Sequence, residues 1–446
     1  MANLENGLIA VVAVVFVLGI MIFVHEWGHF IAAKLSGVRV DVFSFGFGTR
    51  LFGVKRGDTD YRLSALPFGG YVRMAGDNPV EERTGEAHEF LSKPRWVRVL
   101  IAVAGPAMNI LLALVIYWGI FWFVGIPTPT YFRQAPAVAA VPEYDPVVSG
   151  VEAGDRILSI NGVKTPTWSD VYTRLKDVKP GETINLVVLR RGEDQKLTAT
   201  VPGKPEADAE RVVGYPFIPA VTEEVGIGTA AERAGLKSGD IFTSIDGKPV
   251  ATWSQLVDTV RHSDGREIQF EVRRDGKEVT LAIAPVKGMD PLSGDQVWQI
   301  GVSPRLEDDY QRQPLVESVK DAGIETLGGM RQIAGVLSGL FTGKVSVRSL
   351  QGIVGIARES GRAAKGGPMR LIELIAVISL NLGLLNLLPI PILDGGHVLL
   401  LTIEGALRRD LSIAVKERFV QVGLVFLLGI SAFVVYSDIL KLIQSH

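Results

Sequence analysis

From Leu8 to Val24 the chain carries no charged side chain, and the run closes directly on FVHEWGHFIAAK, residues 23–34. An apolar segment of about 20 residues is long enough to cross a bilayer, so two histidines and a glutamate are delivered to membrane depth. Charged groups there cost about 2.5 kcal/mol or more on insertion scales and persist where a function and a partner require them. His25 and His29 stand four residues apart, hence on one helix face and one turn apart. Both imidazoles can then reach one zinc ion, with Glu26 aimed at a water beside it. A catalytic zinc takes a third protein ligand and keeps one position open, so the pattern predicts another ligand at the same depth.

Four segments pass the length test, roughly 7–33, 99–126, 371–393 and 419–442. The first reads as a retained span: MANLEN has Glu5 but no Lys or Arg, and no small-residue cleavage site follows. Orientation follows from basic residues near the span ends. Lys34, Arg39, Arg50, Lys55 and Arg56 begin a basic stretch between the first two spans, and Arg408, Arg409, Lys416 and Arg418 lie between the last two. Both links are therefore expected in the cytosol, with the N-terminus, the long 127–370 region and the C-terminus outside. Ile324–Phe341 is also fairly apolar, but Arg331 and five nearby glycines favour an amphipathic helix on the membrane surface. A hydrophobic content of 47% alongside 21% charged residues fits spans plus water-soluble modules. The net charge of -2 gives no basic surface for nucleic acid. Without cysteine, a transition-metal site must use His and carboxylate.

The water-soluble middle is a repeat. GDRILSING from Gly154 returns as GDIFTSIDG from Gly239, and the 85-residue offset persists at Thr167/Thr252, Trp168/Trp253 and Ser169/Ser254. Each copy continues with a helix-like segment and a strand pair turning at Gly192 or at Asp275-Gly276, as in small β-rich modules. Both resemble PDZ domains, most clearly in AGLKSGD, Ala234 to Asp240. That resemblance implies either recognition of a peptide as an added edge strand or a passive steric gate. Gly226-Ile227-Gly228 is a weak candidate for a carboxylate-binding loop.

The expected third ligand stands in NLLPIPILDGGH, Asn386 to His397, where Asp394 is the first carboxylate after Glu373. His25 lies about 27 Å along its helix from Gly7, and Asp394 about 35 Å from Leu371 on an unbroken helix. Pro389 and Pro391 break that helix and shorten the path. The first and third spans both run inward, so both motifs reach the cytosolic side. His397 is expected to support the site or the local structure.

HEWGH, AVAGPAMN (Ala102 to Asn109) and N-x-x-P-x-P-x-L-D-G-G together resemble the site-2 protease family of intramembrane zinc metalloproteases. With tandem PDZ-like modules between spans two and three, the chain is similar to the bacterial regulator-of-sigma-E protease type. The resemblance implies a metalloendopeptidase with Zn2+ held by His25, His29 and Asp394, and with Glu26 as general base. Asn386 would contact substrate or the oxyanion, and Asn381 is a weaker candidate of the same kind. The implied substrates are single-span membrane proteins of the anti-sigma-factor type, already trimmed, and remnant signal peptides. Ile353, where the family pattern has Gly-Pro, and Thr49, where Pro is common, depart from it.

The expected fold is a multi-pass α-helical protein of the bacterial inner membrane, with four transmembrane helices. Residues 38–76 would add a small membrane-associated β-sheet whose edge pairs with an unwound substrate. Two periplasmic PDZ-like α+β domains would occupy 127–205 and 212–287. An amphipathic linker (305–365) would follow, and residues 1–126 and 366–446 would form the two halves of the membrane core. A metal transporter would want more polar residues in spans two and four, and a non-catalytic scaffold would have no need of Glu26.

Overall fold

A computed structural model describes residues 2–78, 84–144, 149–202, 209–226, 228–289, 296–343 and 352–444. The first apolar run forms the helix Ala2–Leu35. It stops just past the histidines because the backbone turns left-handed at Gly37, φ +66°. Val38 N–H then bonds back to Ala33 O at 2.9 Å, and Gly37 N–H to Lys34 O at 3.1 Å. This pair of bonds is a Schellman stop, and glycine adopts its geometry without a Cβ penalty.

Four described helices are long and apolar enough to cross a membrane: Gly7–Leu35, Arg95–Phe123, Pro368–Asn386 and Ile413–Tyr436. They overlap the four expected spans with shifted limits: the second starts four and the fourth six residues earlier than expected. The third helix ends at Asn386, seven residues before the expected limit of 393. Pro389 and Pro391 supply no N–H to continue it. After an irregular link, Asp394–Leu407 starts a new helix. Within the link Ile392 sits at φ +82°, a conformation that costs a β-branched residue strain.

The chain divides into two compact units, Met1–Ile126 with Arg312–Leu440, and Pro127–Gln311 with Lys441–His446. In the first, the helix Leu315–Phe341 corrects the expectation of a helix lying on the membrane surface. It runs antiparallel along the second span: Gln313 N–H bonds Phe121 O at 3.1 Å, Ala322 packs with Ile120 and Phe121, and Met330 and Ile333 pack with Ala113 and Leu380. Small residues permit this approach, since a Cβ on Gly329 would lie 2.7 Å from Leu380 Cδ2. Periodicity does not register such a contact. Met369 rejoins the Ile120/Phe121 cluster, so residues 313–369 begin and end at the same end of the second span. The parity of the four spans is unchanged.

Val40–Arg56 and Thr59–Met74 form an antiparallel hairpin. Its base is buried, with Phe43 edge-on to Phe23 and Phe30 of the first helix. The ribbon folds on itself, so Val42 to Phe45 pair both with residues 60–63 and with residues 70–73, and the register shifts fall between Val40 and Phe52. Its far half exposes Phe47, Leu51, Phe52 and Val54. Such a surface is a liability in water and suits a membrane boundary.

The second unit contains two modules of like topology. Each is a four-stranded antiparallel sheet with a nine-residue helix, Trp168–Lys176 or Trp253–Arg261. The duplication extends to detail. Thr167 and Thr252 each close a capping box, and Asn161-Gly162 and Asp246-Gly247 turn at matching positive φ. A buried carboxylate is held by an arginine in each, Asp155 by Arg190 at 2.7 Å and Asp240 by Arg274 at 2.5 Å. The second module also pairs Val302–Pro304 with Thr222–Val225, so it draws on residues beyond 287. The Gly226-Ile227-Gly228 candidate falls on Ile227, outside the described residues.

Candidate metal centre

The first helix points His25 and His29 toward the second span, and the break after Asn386 brings Asp394 to them. His25 Nε2 lies 3.1 Å from Asp394 Oδ2, and His29 Nε2 lies 3.5 Å from Asp394 Oδ1. The two Nε2 atoms are 3.2 Å apart. Among the described residues this is the one group of three His or carboxylate side chains, each offering a ligand atom, whose ligand atoms lie within 4.8 Å of one another. Two imidazole nitrogens and a carboxylate oxygen are a donor set that suits zinc and leaves a position for water or substrate.

Asp394 depends on the two glycines after it. A Cβ on Gly395 would lie 2.2 Å from Leu388 O, and one on Gly396 would lie 2.3 Å from Ile390 O. Only a bare backbone lets the 387–390 link fold under the start of the helix. The fourth span closes over the same link, since a Cβ on Gly423 would meet Pro391 Cβ at 2.1 Å.

The second span fits the histidines in register. Ile101 O accepts from His29 Nδ1–H at 2.8 Å, which leaves Nε2 with its lone pair. One turn on, a Cβ on Gly105 would lie 2.3 Å from His29 Nε2. One turn further, Asn109 Nδ2 lies 3.3 Å from His25 Nδ1. The sequence alone assigns the AVAGPAMN stretch no role in the site; the usable signal is a lone Asn in an apolar span, four residues after a glycine.

His25, Glu26, His29 and Asp394 line one cavity of about 1000 Å³, together with Asn386 and His397. Tyr71 and Val72 of the hairpin also line it, and Gly70 backs onto Glu26, where a Cβ would lie 3.1 Å from its Cγ. Asn381 is placed elsewhere. It is not among the cavity-lining residues, and its amide Nδ2 donates to Val377 O one turn back on its own helix.

A match to peptidase family M50 spans residues 13–430. The chain belongs to that family. The Escherichia coli K12 regulator of sigma-E protease is 32% identical to it over 450 residues, covering 95% of this chain and 97% of that protein. A putative zinc metalloprotease of Neisseria meningitidis is also 32% identical, over 97% of this chain and 99% of its own length. One of Vibrio cholerae is 30% identical, over 97% and 98%. This M50 chain thus matches its relatives from end to end, with both motifs of the cavity inside the matched region.

Proposed function

We propose that the chain is a zinc-dependent intramembrane endopeptidase cutting single-span membrane proteins, with His25, His29 and Asp394 as the metal ligands and Glu26 as general base. The observation that carries the reading is the convergence of those three donors in a cavity that also holds Glu26. Membership of peptidase family M50 and the names of the relatives support the same chemistry. Zinc held there supplies Lewis acidity, acidifying water and polarising a carbonyl. Glu26 takes the proton from the attacking water and passes it to the leaving amine. The Asn386 amide, on the cavity wall, donates to the developing oxyanion.

The substrate must unwind to be cut, and its freed N–H and C=O groups need partners in an apolar setting. The hairpin edge beside Tyr71 and Val72 supplies them by strand addition. Proline substitutions along that edge slow cleavage and leave zinc content unchanged; unaltered cleavage discards the strand-addition step.

The relative named for sigma-E regulation favours an anti-sigma-factor type of substrate, trimmed beforehand, and remnant signal peptides are the same kind of target. The two modules are PDZ-like and face the periplasm of an inner-membrane protein, with the catalytic cavity toward the cytosol. They either recognise a peptide end or exclude bulky substrates. Removing Val141 to Val286 permits cutting of untrimmed substrate if they filter by size.

The deciding experiment is Glu26→Gln with a single-span substrate in membranes. Cleavage falls about 10²–10⁴-fold, the usual share of acid–base catalysis, while zinc is retained. Full cleavage by that variant would sink the mechanism.

A further inference from the structure

A histidine that ligates through Nε2 carries its proton on Nδ1, and that proton needs an acceptor which also sets the ring plane. For His29 the acceptor is Ile101 O at 2.8 Å. For His25 the group at Nδ1 is the side-chain amide of Asn109, at 3.3 Å. We propose that Asn109 is the positioning residue for His25, accepting from Nδ1–H through Oδ1 and thereby aiming the Nε2 lone pair at the metal. This rests on the ligand assignment proposed above.

Three observations support it. Asn109 is fully buried in an otherwise apolar span, and its Oδ1 has no hydrogen-bond partner among the described residues. A buried amide oxygen left unpaired is costly. A half-turn of the amide exchanges Oδ1 and Nδ2, so the orphan oxygen gains the His25 Nδ1–H as donor. The residue is also held in place from the third span: Ser379 Oγ donates to the Asn109 main-chain carbonyl at 2.9 Å, and a Cβ on Gly383 would lie 3.3 Å from Asn109 Cβ. Finally, Ile101, Gly105 and Asn109 repeat every four residues, matching the four-residue step from His29 to His25 on the antiparallel helix. One face of the second span thus sets both rings.

The test compares Asn109→Leu, similar in size and without an acceptor, with Asn109→Asp, which keeps one. Each full-length protein is purified in detergent. Its zinc affinity is measured by competition with a chelator, and its site is probed by the visible spectrum of bound Co2+. Metal-free melting is recorded alongside. Asn109→Leu should bind zinc about 10–100-fold more weakly, the usual effect of losing a ligand's outer partner, with an altered Co2+ spectrum. Asn109→Asp should stay near the wild type in both. Equal loss in the two variants, tracking lowered metal-free melting, marks a packing role and overturns the inference. If Asn109→Leu does not accumulate folded, Asn109→Ala against Asn109→Asp gives the same contrast. His25→Ala separates the two levels. A wild type that holds no zinc, or a His25→Ala chain that holds it equally, overturns the ligand assignment and this inference with it. Depletion in His25→Ala with normal affinity in Asn109→Leu overturns this inference alone.

Discussion

Gly105 of the second span faces His29 so closely that a single added methyl would lie 2.3 Å from Nε2. The glycine is part of the histidine's geometry, and the ring keeps its place because the opposing helix has nothing there. Gly105→Ala therefore pushes the imidazole away from Asp394. A displacement of about 1 Å costs on the order of 10²-fold in rate, and cleavage of a single-span substrate should fall by at least that much. Zinc affinity should fall with it. Cleavage at the wild-type rate would show that the helices separate without consequence.

Gly395 and Gly396 act on the third ligand in the same way. Alanine at either position collides with a carbonyl oxygen of the link, at 2.2 or 2.3 Å. Both variants should lose zinc and activity together, as Asp394→Ala should. Zinc content by mass spectrometry of the purified protein checks this, and full occupancy in either variant contradicts it.

Chelation should abolish cleavage, and stoichiometric zinc should restore it in the wild type but not in His29→Ala. Cleavage that persists in the chelated protein would mean that the His25, His29 and Asp394 cluster serves something other than catalysis.

The second unit offers a prediction with a sign in pH. Burial alone would raise the Asp155 carboxyl, but the hydrogen bonds and charge of Arg190 and the Glu152 N–H outweigh it and hold it below the usual carboxylate range. A lowered folded-state value means that the pair stabilises above the unfolded carboxyl pKa of about 3.9, and that this stability is lost as pH falls through the folded value. At neutral pH Arg190→Met leaves a buried charge unpaired, at a cost of about 3–5 kcal/mol. Limited proteolysis of the full chain should show the first module opening before the second. At a pH low enough to protonate Asp155 in both proteins, the difference between variant and wild type should close.

The candidate ligands and the apolar spans were legible because each rests on a strong local pattern. HEWGH sets two histidines one turn apart, and Asp394 is the first carboxylate after Glu373, 21 residues further on. The repeat was legible because duplication copies polar details such as Thr167 and Thr252 along with the apolar spacing. What could not be read was contact through absence. Gly105, Gly329, Gly395 and Gly396 matter by the atoms they lack, and Leu315–Phe341 docks on two spans through such gaps. Asn381 shows the opposite case. A polar residue in a span attracts a functional reading, yet its Nδ2 donates to its own helix at Val377 O and it lies outside the cavity lining. Asn109, equally polar, points at His25, and only the tertiary structure separates the two.

The break after Asn386 also has a temporal meaning. Asp394 leaves the ribosome 365 residues after His29, about 20–70 s later at 5–20 residues/s. Through that interval His25, Glu26 and His29 have been made and Asp394 has not. With the proposed ligand set, the nascent chain holds an incomplete metal site while its two β-rich modules are made. Competence arrives only when the Pro389–Pro391 link folds beneath the helix that carries Asp394. On the proposed assignment, the order of synthesis keeps the site incomplete until the third donor is made.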